Sequence, residues 1–386
     1  MDFTDFLLAE VRRHPSAAPQ DIVKQCYQSA FGAEHMLTDV SKAEAYFYQE
    51  YETTPADDRP LIEYIAQHVC RVNIAAWKRH ELNAVWLWRL FYSSITANSM
   101  KNNPGQVVFA NLISTAEVLT KADKMPFSYN QWQEYINDYN KLSTAHNRLP
   151  PVRHSPKYRE NETPAYRIVT GTAINTLPIF EAMKGQANGV IAIDGRAAAG
   201  KTTFAKKLSM ILHGEDYANG ASGVNNTLTK SATPAATSTS EAPTTSSIIA
   251  MDDFFLPPSL RTPDRLAKPG GNIHHERFTE EVLPNINISK PFKYRKFDCS
   301  IMDYSGQAQI NTHPWRIVEG VYSCHPILGD YMDIRVFMDI DPKTQQDRIN
   351  NRNTPKMAEN YINKWIPMEE AYFNAYKLRE AANIVI

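Results

Sequence analysis

Residues 189–212 read GVIAIDGRAAAGKTTFAKKLSMIL, and the architecture of the second half of the chain follows from them. The first part, Gly189 to Ile193, is an apolar run typical of a buried strand. The middle part, GRAAAGKT at residues 195–202, is a glycine-rich loop that ends in lysine and threonine. The last part, residues 203–212, repeats apolar side chains at helical spacing. Strand, glycine-rich loop and helix in this order predict a site for the phosphates of a nucleoside triphosphate.

The residue types of the glycine-rich loop suit that chemistry. Gly195 and Gly200 permit backbone angles that turn successive N–H groups towards phosphate oxygens, and the following helix presents its positive end to the same anion. Lys201 is placed to contact the β- and γ-phosphates, and the Thr202 hydroxyl is a hard oxygen suited to Mg²⁺. A Gly-Lys-Thr turn that only ends a strand is the alternative, which the strand before and the helix after disfavour. The predicted nucleotide-binding residues are Gly195, Arg196, Ala197, Ala198, Ala199, Gly200, Lys201, Thr202 and Thr203.

The composition limits the class of protein. At 386 residues the chain is long enough for two domains, and its formal net charge of −1 gives no support to a nucleic-acid partner. The charged, amphipathic residues 1–15 do not resemble a signal peptide, and no later stretch is apolar enough to cross a bilayer, so we expect a cytoplasmic protein without a membrane partner. The four cysteines lie far apart without a CxxC pair, which disfavours a structural zinc site or a disulfide framework.

The patterns divide the chain into three parts. Residues 1–150 predict an all-helical domain whose role the sequence does not reveal, and residues 151–186 predict a connecting segment with an edge strand at 166–169. Residues 187–386 alternate short apolar runs with helical stretches, which indicates an α/β domain with a parallel sheet. Within it, residues 214–247 are rich in Gly, Ala, Asn, Ser, Thr and Pro, and predict a disordered surface insertion. A regulatory phosphorylation segment is the alternative for this insertion.

Three further groups of side chains fall where a phosphate site needs them. Asp252 and Asp253 follow an apolar run, at the strand end where parallel sheets collect ligands, and Glu319 ends another. Carboxylates there can hold Mg²⁺ or accept a proton from a hydroxyl. Arg348 and Arg352 lie four residues apart on one helical face, where guanidinium groups can neutralise phosphoryl charge. The alternatives are that the two aspartates only form a turn and that the two arginines are only solvated side chains of a helix.

In this order the motifs resemble the phosphoribulokinase/uridine kinase family of P-loop kinases. The matching stretches are GRAAAGKTT (195–203), MDDFF (251–255), VEGVY (318–322), DRINNR (347–352) and PPSLRTPDRLAKPGGNIHHERF (257–278). The resemblance covers about residues 187–386, apart from the insertion, and implies an ATP-dependent phosphotransferase acting on an alcohol, with a five-stranded parallel sheet and the cofactors ATP and Mg²⁺.

The resemblance also implies roles for individual residues. Lys201 and Thr202 would bind the triphosphate and Mg²⁺, and Asp252 would be the general base and a metal-site carboxylate. Glu319 would support the metal, and Arg348 with Arg352 would sit in a mobile lid. The residues implied near the acceptor are Asp253, Arg277, His274, with His275 as its alternative, and Tyr294, which belongs to a segment (294–298) that would lie on a β-hairpin.

The leading interpretation is transfer of the γ-phosphoryl of ATP to a primary hydroxyl, with a nucleoside as the expected acceptor. One alternative is a kinase for another small alcohol, such as pantothenate, ribulose phosphate or a compound like nicotinamide riboside. Another is a regulatory ATPase whose helical half binds a partner. A GTPase is disfavoured because no Asn-Lys-x-Asp segment is present, although residues 303–306 match Asp-x-x-Gly. We also expect that the chain can form a homo-oligomer.

Overall fold

The computed structural model describes residues 2–32, 39–98, 105–146, 149–214, 245–288 and 290–386. The chain divides into two compact units, Met1–Phe180 and Glu181–Ile386. Most of the predicted insertion at 214–247 lies outside the described residues. None of the described helices is both long and apolar enough to span a membrane.

The first unit is built mainly from helices. The residue types at the ends of a helix explain where it begins and ends, as the helix over residues 19–31 shows. Pro19 occupies its first turn, and Asp21 accepts a hydrogen bond from Ala18 N. Gly32 ends the helix at φ +61°. The helices are α1 (Phe3–Arg13), α2 (Pro19–Phe31), α3 (Val40–Thr53), α4 (Ile74–Arg79), α5 (Ala84–Asn98), α6 (Gly105–Lys121), α7 (Tyr129–His146), α8 (Pro156–Glu162) and α9 (Leu177–Ala182), the last of which runs over the boundary into the second unit.

Buried aromatic side chains hold this helical unit together. Trp77, Trp88 and Trp132 are all buried, and the Trp88 ring lies 5.8 Å from that of Phe47. Trp77 in turn packs against Phe180, with ring centroids 5.4 Å apart. These tryptophans therefore belong to the core and offer no exposed surface for stacking a ligand.

The all-helical prediction for residues 1–150 needs a correction, because the first unit also contains an antiparallel sheet. Its strands, in spatial order, are β1 (Ile62–Ala66), β2 (Val69–Asn73) and β3 (Tyr166–Thr170). The central strand β2 is buried at every position. Its pairing with β3 joins segments that are distant in sequence, so tertiary contacts, and not local helical spacing, determine the structure here. The predicted edge strand at 166–169 is confirmed, as part of this sheet.

The second unit has the predicted α/β architecture. Among the described residues its main sheet has five parallel strands in the spatial order β11 (Ile384–Val385), β10 (Ile334–Met338), β4 (Gly189–Gly195), β9 (Trp315–Glu319) and β6 (Ile248–Ala250). Strand β4 comes first in sequence among the five strands and lies at the centre of the sheet, with β9 on one side and β10 on the other. In such sheets ligands bind beyond the carboxyl ends of the strands, beside the central strand where the connections diverge.

A smaller sheet flanks the main one. Strands β7 (Phe292–Asp298) and β8 (Asp303–Ile310) form the predicted hairpin, and β5 (Thr245–Ser246) runs parallel to β8. The α-helices of the second unit are α10 (Lys201–His213), α11 (Pro263–Leu266), α12 (His275–Glu281), α13 (Leu283–Ile286), α14 (Pro342–Arg352), α15 (Pro355–Asn360), α16 (Ile366–Tyr376) and α17 (Leu378–Ala381). A 3₁₀ turn at Met251–Phe254 continues β6, and a π-helical turn at Tyr361–Trp365 joins α15 to α16.

Candidate functional site

The glycine-rich loop leaves the central strand β4 at a position that only glycine can occupy. Gly195 has φ +131°, and a Cβ atom there would lie 2.2 Å from the carbonyl oxygen of Met338 on β10. Gly200, at φ +98°, has no atom within 4 Å of such a position, and Ala198 adopts φ +60°. The loop therefore uses one glycine for close strand packing and the other for its left-handed turn into α10.

Some amides of the loop are already engaged, and others are free. Arg196 N donates to Met338 O at 3.1 Å, and Ala197 N donates to Glu369 Oε2 at 3.0 Å. Within the described part of the chain, nothing accepts a hydrogen bond from the N–H groups of Ala198 or Gly200. These two and the first amides of α10, which have no partner within the helix, are the donors available to an anion.

Lys201 and Thr202 are held at the start of α10. The Lys201 ammonium folds back over the loop and donates to the carbonyl oxygens of Gly195 and Arg196 at 2.7 and 2.9 Å. The Thr202 hydroxyl donates to Glu319 Oε1 at 3.0 Å, which joins the loop to the end of β9. Thr203 follows on the exposed side of the helix.

Two of the predicted carboxylates meet at this edge of the sheet. Asp252 stands in the turn after β6, and Glu319 lies opposite Ala250 in the register of β6 and β9. Asp252 is accessible to solvent but surrounded by protein on most sides, and the resulting loss of hydration raises its pKa, against the nearby charge of Lys201. Burial also raises the pKa of Glu319, and the charge of Asp252 adds to the effect. Asp252, Glu319 and Lys201 thus form one electrostatic group.

This group offers the ligands that Mg²⁺ prefers. The Thr202 hydroxyl and the Glu319 carboxylate already lie within hydrogen-bond distance of each other, and Asp252 adds a second carboxylate. Hard oxygen donors of this kind, beside a phosphate-binding loop, suit a magnesium ion that is shared with a nucleotide. The residues present therefore fit the metal.

The two arginines of α14 reach the site differently. Arg348 Nη1 donates to Ala198 O at 3.0 Å, so this side chain braces the glycine-rich loop from outside. Arg352 lies over the ring of Tyr361, 5.3 Å from its centroid, and its charge acts on Asp252. Both side chains are exposed, which leaves their remaining donors accessible.

Three of the predicted acceptor residues form a buried cluster beside Asp252. The Tyr294 hydroxyl donates to Asp253 Oδ2 at 3.0 Å, and Arg277 Nη2 donates to the carbonyl oxygen of Asp253 at 2.8 Å. Burial raises the pKa of Asp253, against the hydrogen bond from Tyr294. Arg277 is 1% exposed, and its Nη1 has no acceptor among the described residues.

The two histidines are less directly placed. His274 caps α12, with its Nδ1 accepting from Arg277 N at 3.3 Å, so it supports the arginine. His275 Nδ1 lies 2.7 Å from Arg265 Nη2 instead. Of the two, only His274 touches the cluster of Asp253, Arg277 and Tyr294.

The Arg196 side chain turns away from the loop. It forms ion pairs with Asp339, at 2.7 Å, and with Glu370 on α16. Its guanidinium therefore fastens the loop to neighbouring elements and does not line the space above the free amides.

Two buried carboxylates at the site were missed by the sequence analysis. Asp194, directly before the loop, accepts hydrogen bonds from Gly195 N, Tyr322 N, Cys324 N and the Tyr372 hydroxyl. An acidic residue inside an apolar strand is a visible signal of such a role. The other is Glu369 on α16, the acceptor for Ala197 N, for which the sequence carries no local signal.

The matches to this chain come from solved structures. No protein-family model matches it, and no curated protein matches it in sequence. Among solved structures, it is similar to a possible uridine kinase from Bacillus stearothermophilus, at 17% identity and a TM-score of 0.38 over 55% of this chain and 96% of that one. It is also similar to a candidate fructose transport system kinase from Silicibacter sp. TM1040, at 15% identity and a TM-score of 0.36 over 56% and 99% of the two chains. Likeness this low does not bear on the activity of the chain.

Proposed function

We propose that the second unit transfers the γ-phosphoryl group of ATP to a primary hydroxyl of a small molecule, with a nucleoside as the expected acceptor. The observation that carries this proposal is the grouping of Lys201, Asp252 and Glu319 beside the free amides of the glycine-rich loop. A loop that only ends a strand has no need of two carboxylates with raised pKa values beside its lysine.

Different groups of the protein bind the phosphates and the metal ion. The amides of Ala198 and Gly200, with the start of α10, bind the phosphates, and Lys201 leaves its loop carbonyls to contact them. Glu319 and Thr202 would hold Mg²⁺, which when bound neutralises charge on the phosphoryl oxygens.

Asp252 is the group that takes the proton. Its raised pKa makes it a stronger base than an ordinary aspartate. The acceptor O–H bond breaks as its oxygen bonds to the γ-phosphorus, the bond from that phosphorus to the bridging oxygen breaks, and ADP leaves. Arg352, whose charge already acts on Asp252, stabilises the negative charge on the transferred group.

The acceptor would lie against the cluster of Asp253, Arg277 and Tyr294. Asp253 offers a carboxylate to the acceptor, and Arg277 positions Asp253 through its hydrogen bond to the carbonyl oxygen of that residue. A polyhydroxylated ribosyl group supplies the hydroxyl donors that such a carboxylate accepts.

The proposal is tested by ADP formation in the full chain with a panel of nucleosides, pantothenate, ribulose 5-phosphate and nicotinamide riboside. We expect one class of acceptor to stimulate ADP formation, and Asp252→Asn to reduce that rate by about 100- to 10,000-fold, the usual contribution of a general base. Lys201→Ala should abolish it.

Matched controls come from the opposite end of the sheet. Lys184 precedes β4 and Asp330 precedes β10, so Lys184→Ala and Asp330→Asn should retain the activity. Slow ATP hydrolysis that no alcohol stimulates would refute the transferase and favour the regulatory ATPase.

A further inference from the structure

The described part of the chain contains one π-helical turn, at Tyr361–Trp365, between α15 and α16. Turns of this kind are rare in proteins and are frequent at functional sites, where they shift the side chains that follow them. None of the five residues is fully buried, so the burial of an apolar face does not account for the turn. Its two aromatic side chains are the features that call for an explanation.

The π-helical turn brings these two aromatic rings together. The centroid of the Tyr361 ring lies 4.6 Å from that of Trp365, and the ring planes are at 84° to each other. This is the edge-to-face arrangement that aromatic pairs prefer. The contact fixes the orientation of the Tyr361 ring and leaves a face of that ring available to another group.

That other group is the guanidinium of Arg352, which lies 5.3 Å from the centroid of the Tyr361 ring. A cation at this distance from an aromatic face is attracted by the ring. Arg352 is the last residue of α14, and among the described residues no aspartate or glutamate forms an ion pair with it. The ring of Tyr361 is therefore the contact that orients the guanidinium.

Electrostatic effects place this pair beside the proposed phosphoryl-transfer site. The charge of Arg352 opposes the rise in the pKa of Asp252. Burial raises the pKa of Tyr361, with Arg352 opposing the shift and the charges of Asp252 and Glu369 adding to it. Because such effects weaken with distance, Tyr361 and Arg352 both lie near the carboxylate that would take the proton.

An arginine that stabilises a transition state benefits from an aromatic partner. Its long side chain has many rotamers, and the donors stabilise developing charge best when they are already in place. A carboxylate partner would occupy those donors and neutralise the charge, whereas an aromatic face holds the guanidinium and leaves its N–H groups available to phosphoryl oxygens.

We propose that Tyr361 is a positioning residue for phosphoryl transfer, and that the face of its ring holds the guanidinium of Arg352 beside Asp252. The inference rests on the proposed function, because it deepens the role given there to Arg352. It assigns the effect to the ring of Tyr361 and not to its hydroxyl.

A double-mutant cycle in the full chain tests this assignment. It compares kcat and KM of the wild type, Tyr361→Leu, Arg352→Ala and the double variant, with an alcohol that stimulates ADP formation. We expect Tyr361→Leu to lower kcat by about 2- to 30-fold, the range of a cation–π contact, with little change in KM for ATP. In the Arg352→Ala background the same change should alter kcat by less than about twofold, because Tyr361 acts through Arg352.

Two further variants separate the ring from its surroundings. Tyr361→Phe keeps the aromatic face and removes the hydroxyl, so its kcat should stay within about twofold of the wild type. Ile362→Ala truncates an exposed side chain of the same turn and is the matched control, which should behave as the wild type does.

A second readout needs no turnover. In the NMR spectrum of the full chain, the ring current of Tyr361 should shift the Nε–H resonance of Arg352, which Arg352→Lys identifies by its disappearance. Tyr361→Phe should keep this shift and Tyr361→Leu should lose it. Circular dichroism checks the fold of each variant. Should Tyr361→Leu fail to fold, the wild-type shift and the kcat of Tyr361→Phe decide the question.

Three outcomes would overturn the proposal. They are a wild-type kcat in Tyr361→Leu, an equal loss from Tyr361→Leu with and without Arg352, and a Tyr361→Phe variant as slow as Tyr361→Leu. If no alcohol stimulates ADP formation, the proposed transferase fails, and the cycle is then measured on ATP hydrolysis, which breaks the same bond to the γ-phosphorus. Coupling between Tyr361 and Arg352 in hydrolysis would support the positioning role, and additive effects would overturn it as well.

Discussion

Glu369 on α16 accepts a hydrogen bond from the backbone N–H of Ala197 at 3.0 Å, so a buried carboxylate lies directly against the glycine-rich loop. Burial raises the pKa of Glu369 to about 7, with the charge of Lys201 opposing the shift. The loop that would bind the most negatively charged part of ATP is thus in contact with a group whose charge changes near neutral pH.

The first prediction concerns stability and this carboxylate. The pKa of Glu369 is about 7 in the folded protein, against 4.5 as its ordinary value, so its contribution to stability is complete below pH 4.5 and is lost as the pH rises through 7. Glu369→Gln removes this dependence. Relative to wild type, the variant should gain free energy of unfolding with rising pH, by about 3 kcal/mol in all.

Urea unfolding at a series of pH values measures that difference. Glu359→Gln, at an exposed position of α15, is the control and should follow the wild type at every pH. A constant difference between Glu369→Gln and wild type would contradict the assignment.

The second prediction separates the two glycines of the loop. In Gly195→Ala the new methyl group would lie 2.2 Å from Met338 O, which forces β4 and β10 apart. Overpacking and backbone strain together should cost about 3–5 kcal/mol of stability. Gly200→Ala meets no atom within 4 Å and should cost only the strain of its positive φ, about 1–2 kcal/mol. Denaturant unfolding gives both values, and equal losses would refute this division of roles.

The third prediction concerns the arginines of α14. If Arg352 stabilises the transferred phosphoryl group, Arg352→Ala should lower kcat by about 1,000-fold or more with little change in KM for ATP. Arg348→Ala should chiefly raise KM for ATP, because Arg348 braces the loop at Ala198 O. Steady-state kinetics with an acceptor that stimulates ADP formation supply the measurement. Arg12→Ala, on the exposed side of α1, is the control. If Arg348→Ala and Arg352→Ala have the same kinetics as this control, the two arginines of α14 are ordinary solvated side chains.

The fourth prediction addresses the acceptor cluster. Tyr294→Phe removes the hydrogen bond to Asp253 Oδ2 and should raise the pKa of Asp253 further. We expect KM for the acceptor to rise about tenfold, the effect of one hydrogen bond to a charged group, while KM for ATP stays constant. Tyr304→Phe removes a hydroxyl from the paired strand and keeps the ring that faces Arg277, so it serves as the matched control. Equal effects on both KM values would place Tyr294 outside the acceptor site.

Sequence alone predicted the parts of the site that are contiguous or that stand at strand ends. Residues 189–212 carry strand, loop and helix in one stretch, so their structure follows from local spacing. Asp252 and Glu319 were predicted to lie together because parallel strands deliver their carboxyl ends to one edge, and the structure brings them together.

Other features depend on contacts between distant segments. Glu369 reaches Ala197 across 172 positions of sequence, and no spacing rule connects them. The sheet of the first unit was missed for a similar reason, since β2 is stabilised by pairing with β3 and by the buried pair of Arg71 and Glu10. The sequence likewise does not predict that Arg196 pairs with Asp339, which turns its side chain away from the loop.

Asp194 ties together three stretches of chain that are far apart in sequence, through its hydrogen bonds to Gly195, Cys324 and the Tyr372 hydroxyl. A displacement at the end of β4 must therefore be shared by the segment after β9 and by α16. Because the Tyr372 hydroxyl donates to Asp194, we expect the NMR resonances of its ring to shift when a ligand binds at the glycine-rich loop. This tyrosine can therefore report on binding without a label at the site.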